Sequence, residues 1–452
     1  MGDLAKIFKA YDVRGVVPDE FDEAAAEAVG AAFVEVTGAG AAVVAHDMRE
    51  SSGPLAAAFI RGARSRGADI VHAGLGSTDL LYYASGSLGL PGVMFTASHN
   101  PARYNGMKMC RPGAVPIGGD SGLTEIRDRA AELVGVTAPP VGDLGDLVER
   151  DLLQGYADHL RGLVDLSAVR PLKVVVDAGN GMAGHTVPAV FDGLPIELVP
   201  LYFELDGSFP NHEANPIEPA NLIDLQRAVV ENGADLGLAF DGDADRCWVI
   251  DERGGSVSPS TVTALVAARE LAKHPGSTII HNLITSLGVP EIVREHGGEP
   301  VRTRVGHSFI KAEMARTGAV FGGEHSAHYY FRDFWFADSG MLAAMHVLAA
   351  LGEQDGPLSQ VVAAYSRYHA SGEINSTVDD QDKALRQVRE AFESRARFDE
   401  LDGLTVTGSG WWFNLRASNT EPLLRLNAEA ADQTTMTAIR DEVLAIVRKV
   451  SV

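Results

Sequence analysis

Phe95-Thr96-Ala97-Ser98-His99-Asn100-Pro101 closes an apolar run at residues 90–95 that is typical of a buried strand. The polar residues that follow, ending in Asn-Pro, predict a loop directly after this strand. Ligand sites in open α/β sheets gather at the carboxyl ends of strands, so Ser98 is a candidate functional residue. The alternative is a Ser/Asn turn that only satisfies its own backbone.

The pattern of an apolar strand, a Ser/Gly-rich turn, an amphipathic helix and a second strand occurs three times along the chain. The copies span residues 41–72, 173–200 and 277–305. This alternation predicts three α/β domains with right-handed crossovers. Because residue identity between the copies is low, the repeat is architectural only.

The last part of the chain has a different order of elements. A charged helix at 380–395 precedes strand-like segments at 404–407, 411–415 and 423–430 and a closing helix at 433–449. That order predicts a separate α+β domain with an antiparallel sheet. We therefore expect an α/β protein with three related α/β domains with mixed sheets and a C-terminal α+β domain. The expected domains are 1–150, 151–253, 254–368 and 369–452.

Composition narrows the class of protein. The 452-residue chain is 46% apolar and has a formal net charge of −23, which argues against a nucleic-acid partner. It has no apolar run of the roughly 18 residues that a membrane span needs, and no signal segment. Its two cysteines, Cys110 and Cys247, are too few for a disulfide framework. We expect a cytoplasmic protein with no membrane partner and with buried thiols.

Asp241-Gly242-Asp243-Ala244-Asp245-Arg246 places three aspartates at alternate positions of a loop between apolar segments. Alternate side chains of extended backbone point to one side, and three converging carboxylates repel unless a cation lies between them. Oxygen-only ligands select a hard ion such as Mg²⁺. An EF-hand is disfavoured because Arg246 stands where that loop needs glycine and strands flank it. An acidic loop without metal stays open.

Basic side chains accompany these loops. Arg14, next to a glycine, can present its guanidinium fork to phosphate, the alternative being an ordinary surface arginine. Asn105-Gly106 predicts a hairpin turn, which places Lys108 on a strand across from Ser98.

Three further loops contain candidate binding residues, two in the third repeat and one in the last domain. Arg302-Thr303-Arg304-Val305-Gly306-His307-Ser308 ends a strand, and Gly323-Glu324-His325-Ser326-Ala327-His328 offers side chains suited to binding hydroxyls. The spacing of its histidines matches no usual zinc pattern. Arg416-Ala417-Ser418-Asn419-Thr420-Glu421-Pro422 can form a phosphate cradle, or else a plain hydrogen-bonded hairpin loop.

Together, one loop from each predicted domain supplies a hydroxyl nucleophile, a carboxylate metal site, a hydroxyl-binding set and an anion cradle. These are the components of phosphoryl transfer to a polyhydroxylated anion. On the motifs at 96–101, 241–246, 323–328 and 416–422, in this order, the chain resembles the α-D-phosphohexomutase family, in its phosphomannomutase/phosphoglucomutase branch.

The resemblance implies four domains around a central cleft, a phosphoserine at Ser98 and Mg²⁺ held by Ser98, Asp241, Asp243 and Asp245. It implies glutamate and serine side chains, Glu324 and Ser326, that bind the sugar 3- and 4-hydroxyls. The catalytic residues are then Ser98, His99, Lys108, Arg246 and His328, with Lys108 and His328 as general acid/base candidates. The substrate-binding residues are Tyr11, Arg14, Arg304, His307, Glu324, Ser326, Arg416, Ser418, Asn419 and Thr420.

The implied reaction is reversible. Phospho-Ser98 gives its phosphoryl group to a hexose monophosphate, and the 1,6-bisphosphate formed turns over and returns the other phosphoryl group. A hexose 1,6-bisphosphate then serves as activator. His325 and Asn419 stand where the glucosamine branch usually has Gln and Gly, which favours mannose 6-phosphate, with glucose as a second substrate, while Ala327 replaces a usual Gly. Phosphoglucosamine mutase, a metal-dependent sugar phosphatase and a non-catalytic phosphosugar sensor are the alternatives. We expect a monomer or homodimer.

Overall fold

The computed structural model describes residues 4–135, 142–417 and 423–449, except for the side chains at 307 and 308. The strands are β1 (Val13–Val16), β2 (Ala41–His46), β3 (Asp69–Leu75), β4 (Gly92–Phe95), β5 (Tyr104–Arg111), β6 (Val115–Pro116), β7 (Leu147–Glu149), β8 (Leu172–Asp177), β9 (Ile196–Leu201), β10 (Leu236–Phe240), β11 (Cys247–Asp251), β12 (Ser256–Val257), β13 (Thr278–Asn282), β14 (Glu299–Thr303), β15 (Phe321–Gly323), β16 (Tyr329–Phe331), β17 (Ala337–Asp338), β18 (His369–Thr377), β19 (Arg397–Asp399), β20 (Leu404–Gly408), β21 (Trp411–Ala417) and β22 (Leu423–Ala430).

Helices connect most of these strands. They are α1 (Leu4–Ile7), α2 (Glu23–Thr37), α3 (Ser52–Arg64), α4 (Thr78–Leu88), α5 (Leu123–Leu133), α6 (Leu153–Leu163), α7 (Ala183–Phe191), α8 (Ile223–Glu231), α9 (Pro259–Lys273), α10 (Gly288–Glu295), α11 (His307–Thr317), α12 (Gly340–Gly352), α13 (Leu358–Ala363), α14 (Gln381–Phe392) and α15 (Gln433–Val447). None of the described helices is both long enough and apolar enough to span a bilayer.

The chain divides into two units. The first contains the residues up to 257 together with 326–361, and the second contains 258–325 and the residues from 362 onward. The domain boundaries expected from the sequence stay a prediction, since residues 326–361 of the third expected domain group with the first unit.

The first unit contains two mixed sheets. One has the order β1-β5-β4-β2-β3-β7, in which β4, β2, β3 and β7 are parallel, β5 runs antiparallel to β4, and β1 runs antiparallel to β5. The other has the order β12-β11-β10-β8-β9, with β10, β8 and β9 parallel. The loop with Ser98 follows β4, and the loop with the three aspartates follows β10, so each sheet carries one of the predicted site loops at the end of a strand.

The second unit contains parallel strands and an antiparallel sheet. β14 and β15 flank β13 and are parallel to it. The antiparallel sheet has the order β18-β22-β21-β20-β19, and α14 and α15 cover its buried face. The prediction of mixed α/β sheets followed by an antiparallel C-terminal sheet is confirmed.

Local sequence explains the helix ends and the core. Asp22 and Ser77 accept hydrogen bonds from backbone N–H groups in the first turns of α2 and α4, and Gly38 ends α2 in the left-handed region with φ of 66°. The core of the first sheet packs α2 and α3 on one face, where Phe33, Phe59 and other fully buried side chains meet. Both cysteines are buried thiols.

One sequence prediction is wrong in its local detail. Asn105-Gly106 forms no hairpin turn but lies inside β5, whose residues pair with β1 and β4. A Cβ at Gly106 would lie 2.0 Å from the carbonyl oxygen of Val13, so the glycine serves a close strand approach. Lys108 is nevertheless on the strand beside β4, paired with Met94. The segment at 137–146 is rich in proline and glycine, which is typical of a linker, and its part up to residue 141 lies outside the described residues.

Candidate active site

Ser98 lies in the loop after β4 and has a strained backbone. Its φ of 50° is in the left-handed region, which for a residue with a side chain costs roughly 1–3 kcal/mol. The residue is 5% exposed, and its backbone N–H donates to Thr96 Oγ1 at 2.9 Å. Strain of this kind persists only where the surroundings fix it, and it is common at functional sites.

The three aspartates between β10 and β11 converge as the sequence predicted. Asp241, Asp243 and Asp245 are at most 1% exposed, and each offers a carboxylate oxygen within 4.8 Å of the others. Among the described residues, Oδ1 of Asp243 and Oδ1 of Asp245 have no hydrogen-bond partner. Buried carboxylate oxygens without a donor fit a hard divalent cation, so the loop is a candidate metal site.

The metal loop and the serine loop touch directly. Ser98 Oγ donates to Asp241 Oδ2 at 2.7 Å. A Cβ at Gly242 would lie 2.4 Å from the carbonyl oxygen of Ser98, so only glycine allows this approach. Burial raises the pKa of Asp241 to about 7; Arg246 opposes this shift, and the neighbouring Asp245 adds to it.

Arg246 and His99 complete the surroundings of the serine hydroxyl. The Arg246 guanidinium donates to Asp241 Oδ2 at 2.9 Å through Nε and lies 3.4 Å from Ser98 Oγ through Nη2. His99 Nδ1 lies 3.1 Å from Ser98 Oγ and 2.6 Å from Arg246 Nη2. Burial first, and then the charge of Arg246, lower the pKa of His99 to about 2, so its ring is neutral and Nδ1 accepts from the guanidinium.

Lys108 lies on β5 with its ammonium group between two aspartates. Nζ donates to Asp243 Oδ2 at 2.7 Å and to Asp245 Oδ2 at 2.5 Å. Burial would lower the pKa of Lys108, but Asp243 and Asp245 outweigh it and raise the pKa above its ordinary value. The same pairing holds the pKa of Asp243 below its usual range against the effect of burial. Lys108 is therefore protonated in this arrangement.

His328 and Ser326 lie in the same unit. Ser326 Oγ is 3.0 Å from His328 Nδ1, and His328 Nε2 is 4.0 Å from Asp245 Oδ1. Ala327, which lies between them, has a φ of 64°, in the left-handed region that favours glycine. The structure thus brings His328 to the aspartate loop.

Arg14 and Tyr11 lie at the start of the first sheet. Arg14 Nη1 donates to Asn100 Oδ1 at 2.5 Å and to the carbonyl oxygen of Ala97 at 3.2 Å. Tyr11, two residues before β1, is half-buried. The structure therefore joins Arg14 to the Ser98 loop.

The second unit holds other predicted residues. Glu324, after β15, is 3% exposed and accepts from Asn282 Nδ2 at 3.2 Å and from Gly306 N at 3.3 Å. Arg304 is exposed, with its guanidinium over the ring of Phe309. These contacts place both residues near the carboxyl ends of the parallel strands.

Arg416 is the last residue but one of β21 and forms ion pairs with Asp402 at 3.6 Å and Glu373 at 3.9 Å. Ser418, Asn419 and Thr420 lie outside the described residues, as does the side chain of His307. Their predicted roles stay predictions.

Sequence reasoning missed Thr78. This buried residue opens α4, its Oγ1 donates to Asp243 Oδ2 at 2.5 Å, and its N–H donates to the carbonyl oxygen of Asp243 at 2.9 Å. It therefore fixes the orientation of one metal-site carboxylate. A Ser-Thr-Asp helix start after β3 was the only sequence signal, and that pattern predicts a helix cap rather than a partner 165 residues away.

The chain is similar to known proteins over nearly its whole length. Family models described as phosphoglucomutase/phosphomannomutase match residues 5–133 (alpha/beta/alpha domain I), 154–255 (domain II), 259–368 (domain III) and 373–446 (C-terminal domain). A phosphomannomutase of Escherichia coli is 41% identical over 453 residues, covering 98% of this chain and 99% of the relative. A protein named phosphohexose mutases from Xanthomonas campestris pv. campestris is 41% identical over 93% of this chain and 94% of its own length.

Solved structures show the same likeness. A phosphoglucomutase/phosphomannomutase family protein from Burkholderia thailandensis is 33% identical, with a TM-score of 0.89 over 100% of this chain and 99% of its own.

Proposed function

The chain belongs to the phosphoglucomutase/phosphomannomutase family of hexose phosphate mutases, and on that basis we propose that it interconverts mannose 6-phosphate and mannose 1-phosphate, with glucose phosphates as second substrates. The observation that carries the proposal is the strained Ser98, whose Oγ lies 2.7 Å from the carboxylate of a candidate metal site. The names of the similar phosphomannomutases support mannose as the sugar.

In the proposed reaction, phospho-Ser98 transfers its phosphoryl group to the free hydroxyl oxygen at C1 or C6 of the sugar. The serine P–O bond breaks, a P–O bond to the sugar forms, and the hydroxyl proton leaves to a base. The 1,6-bisphosphate then turns over and returns its other phosphoryl group to Ser98 Oγ. A hexose 1,6-bisphosphate is accordingly the proposed primer.

Residues around Ser98 have distinct proposed roles. Arg246, 3.4 Å from Oγ, stabilises negative charge on the transferring group. Lys108 holds a proton that it can donate, and His328 is the candidate base. Asp241, Asp243 and Asp245, with a Ser98 oxygen, would hold Mg²⁺, which when bound supplies positive charge beside the phosphoryl oxygens.

Sugar and phosphate binding is proposed for the remaining residues of the predicted site. Glu324 and Ser326 would bind sugar hydroxyls. His99, which lies beside the nucleophile Ser98, is proposed as a further catalytic residue. The phosphate that is not transferred would be bound by Arg416, Ser418, Asn419 and Thr420. Further substrate-binding residues are proposed to be Tyr11, Arg14, Arg304 and His307. We also propose that the protein is a cytoplasmic monomer or homodimer and that its domains are 1–150, 151–253, 254–368 and 369–452.

The test is a side-by-side assay of mannose 1-phosphate, glucose 1-phosphate and glucosamine 6-phosphate with Mg²⁺ and trace 1,6-bisphosphate. We expect the first two to isomerise without release of inorganic phosphate. Conversion of only the glucosamine compound would identify a phosphoglucosamine mutase, and net phosphate release would identify a phosphatase. Ser65→Ala is the matched control for Ser98→Ala, because the Ser65 hydroxyl donates to the carbonyl oxygen of Gly62.

A further inference from the structure

Arg49 is a buried arginine enclosed by the loop that carries the nucleophile. It lies three residues after β2 and is only 3% exposed. Both terminal nitrogens of its guanidinium donate to backbone carbonyl oxygens of one short segment: Nη2 to Ser98 at 2.8 Å and Asn100 at 2.7 Å, and Nη1 to Pro101 at 3.0 Å and Tyr104 at 3.0 Å. These four hydrogen bonds use every N–H of the two terminal nitrogens.

The remaining donor and the charge of Arg49 are also satisfied. Nε donates to Asp47 Oδ2 at 3.2 Å, and Asp47 is fully buried. Asp47 in turn accepts from Ser52 Oγ at 2.5 Å, and its backbone N–H donates to the carbonyl oxygen of Phe95 at 2.9 Å. The Asp47–Arg49 pair is therefore anchored to the end of β4, immediately before the serine loop.

The arrangement explains how Ser98 keeps its unusual backbone. Carbonyl oxygens that converge on one point repel one another unless a multiple donor lies between them. A guanidinium has five N–H donors in a fixed plane, whereas an ammonium group has three and no plane. With its carbonyl oxygen held by Arg49 and packed against Gly242, Ser98 presents Oγ to Asp241 and His99.

We propose that Arg49 is a positioning residue that holds Ser98 in the left-handed conformation in which its hydroxyl accepts and donates the phosphoryl group. The proposal rests on the proposed function of Ser98. Arg49 itself touches no reacting atom, and it acts through the carbonyl oxygens of the loop.

The test compares Arg49→Lys and Arg49→Ala with the unchanged protein. Because a displacement of about 1 Å of a reacting group can cost roughly 100-fold in rate, we expect kcat to fall by about that factor, with KM changed less than about threefold. The rate at which glucose 1,6-bisphosphate phosphorylates Ser98, followed by the mass of the intact protein, should fall in parallel. Added guanidinium ion at millimolar concentration should partly restore Arg49→Ala, and ammonium ion should not.

Arg66→Lys is the matched control, since Arg66 is an arginine of the same unit whose side chain is 7% exposed and pairs with Glu35 at 2.7 Å. It should keep its rate of phosphorylation. The proposal is overturned if Arg49→Lys phosphorylates and turns over within about twofold of the unchanged protein. It is equally overturned if KM rises while kcat stays, or if ammonium restores Arg49→Ala as well as guanidinium does. Failure of the proposed function looks different, because the unchanged protein itself would then carry no phosphoryl group on Ser98.

Discussion

Asp79→Asn should change how the stability of the first unit depends on pH. Asp79 is fully buried in the first turn of α4, where Tyr156 OH and Ser339 Oγ each donate to Oδ2 at 2.7 Å and Ser77 donates to Oδ1. Burial raises the pKa of Asp79 to about 6 against the opposing effect of these donors, of which Ser77 is the strongest. In the unfolded chain the pKa returns to roughly 3.9.

The sign follows from these two pKa values. The folded carboxyl binds its proton more tightly than the unfolded one, so its contribution to stability is fully present below about pH 4 and is lost as pH rises through about 6. A difference of about 2 between the two pKa values corresponds to roughly 3 kcal/mol of unfolding free energy. About 2 kcal/mol of this stabilisation is lost between about pH 4.5 and about pH 7.5. Tyr156, which faces Asp79, stays neutral because burial raises its pKa well above the ordinary value. The charge of Asp245 adds to the rise in the pKa of Asp79.

The assay is urea unfolding followed by circular dichroism at several pH values. The unfolding free energy of Asp79→Asn minus that of the unchanged protein should rise by about 2 kcal/mol from about pH 4.5 to about pH 7.5. The control is Asp158→Asn, which replaces an exposed carboxylate of the same unit that pairs with Arg161 at 2.8 Å, and for which the difference should stay nearly flat over the same pH range. Parallel curves for Asp79→Asn and the unchanged protein would refute the reasoning.

Three other outcomes are expected. Thr78→Val, which keeps the shape but removes the hydroxyl that donates to Asp243, should weaken Mg²⁺ binding by roughly 10-fold in calorimetry, and an unchanged affinity would contradict its role. Glu429→Gln should lower the stability of the second unit by about 1.5–3 kcal/mol, because this buried carboxylate accepts hydrogen bonds from Trp412 Nε1 at 2.6 Å and from a backbone N–H at the start of α10. The control Glu442→Gln, at an exposed position, should change the stability of this unit by less than about 1 kcal/mol. Mg²⁺ at 100 times its Kd should stabilise the first unit by about 2.7 kcal/mol in denaturant unfolding, and a chelator should reverse this; no shift would contradict the metal site.

Much of the fold was predictable because its strands are apolar and end in turn residues. The three copies of the repeated pattern, expected to begin at residues 41, 173 and 277, begin within one residue of β2, β8 and β13, because apolar runs bounded by turn residues are typical of buried strands. β18 was missed, since its residues are mostly polar and exposed and its pairing with β22 is set by the sheet. Tertiary pairing also overrode the local turn signal of Asn105-Gly106.

The site was predictable to the extent that its chemistry lies in contiguous motifs. Ser98 and the three aspartates could be identified because nucleophile and carboxylates cluster in short loops after strands. Thr78 and Arg49 could not, because each acts on a loop distant in sequence through hydrogen bonds that only the folded chain creates. The conformation of Ser98 was likewise invisible in the sequence, since serine gives no sign of a positive φ.

The most direct test of the whole account is the mass of the protein after incubation with glucose 1,6-bisphosphate and Mg²⁺, followed by peptide mapping. The account predicts one added phosphoryl group, located on Ser98 and discharged when mannose 1-phosphate is added. Ser98→Ala should neither gain the mass nor isomerise the sugar phosphate. Isomerisation that persists in Ser98→Ala, or an active protein whose Ser98 peptide never gains the phosphoryl mass, would contradict it.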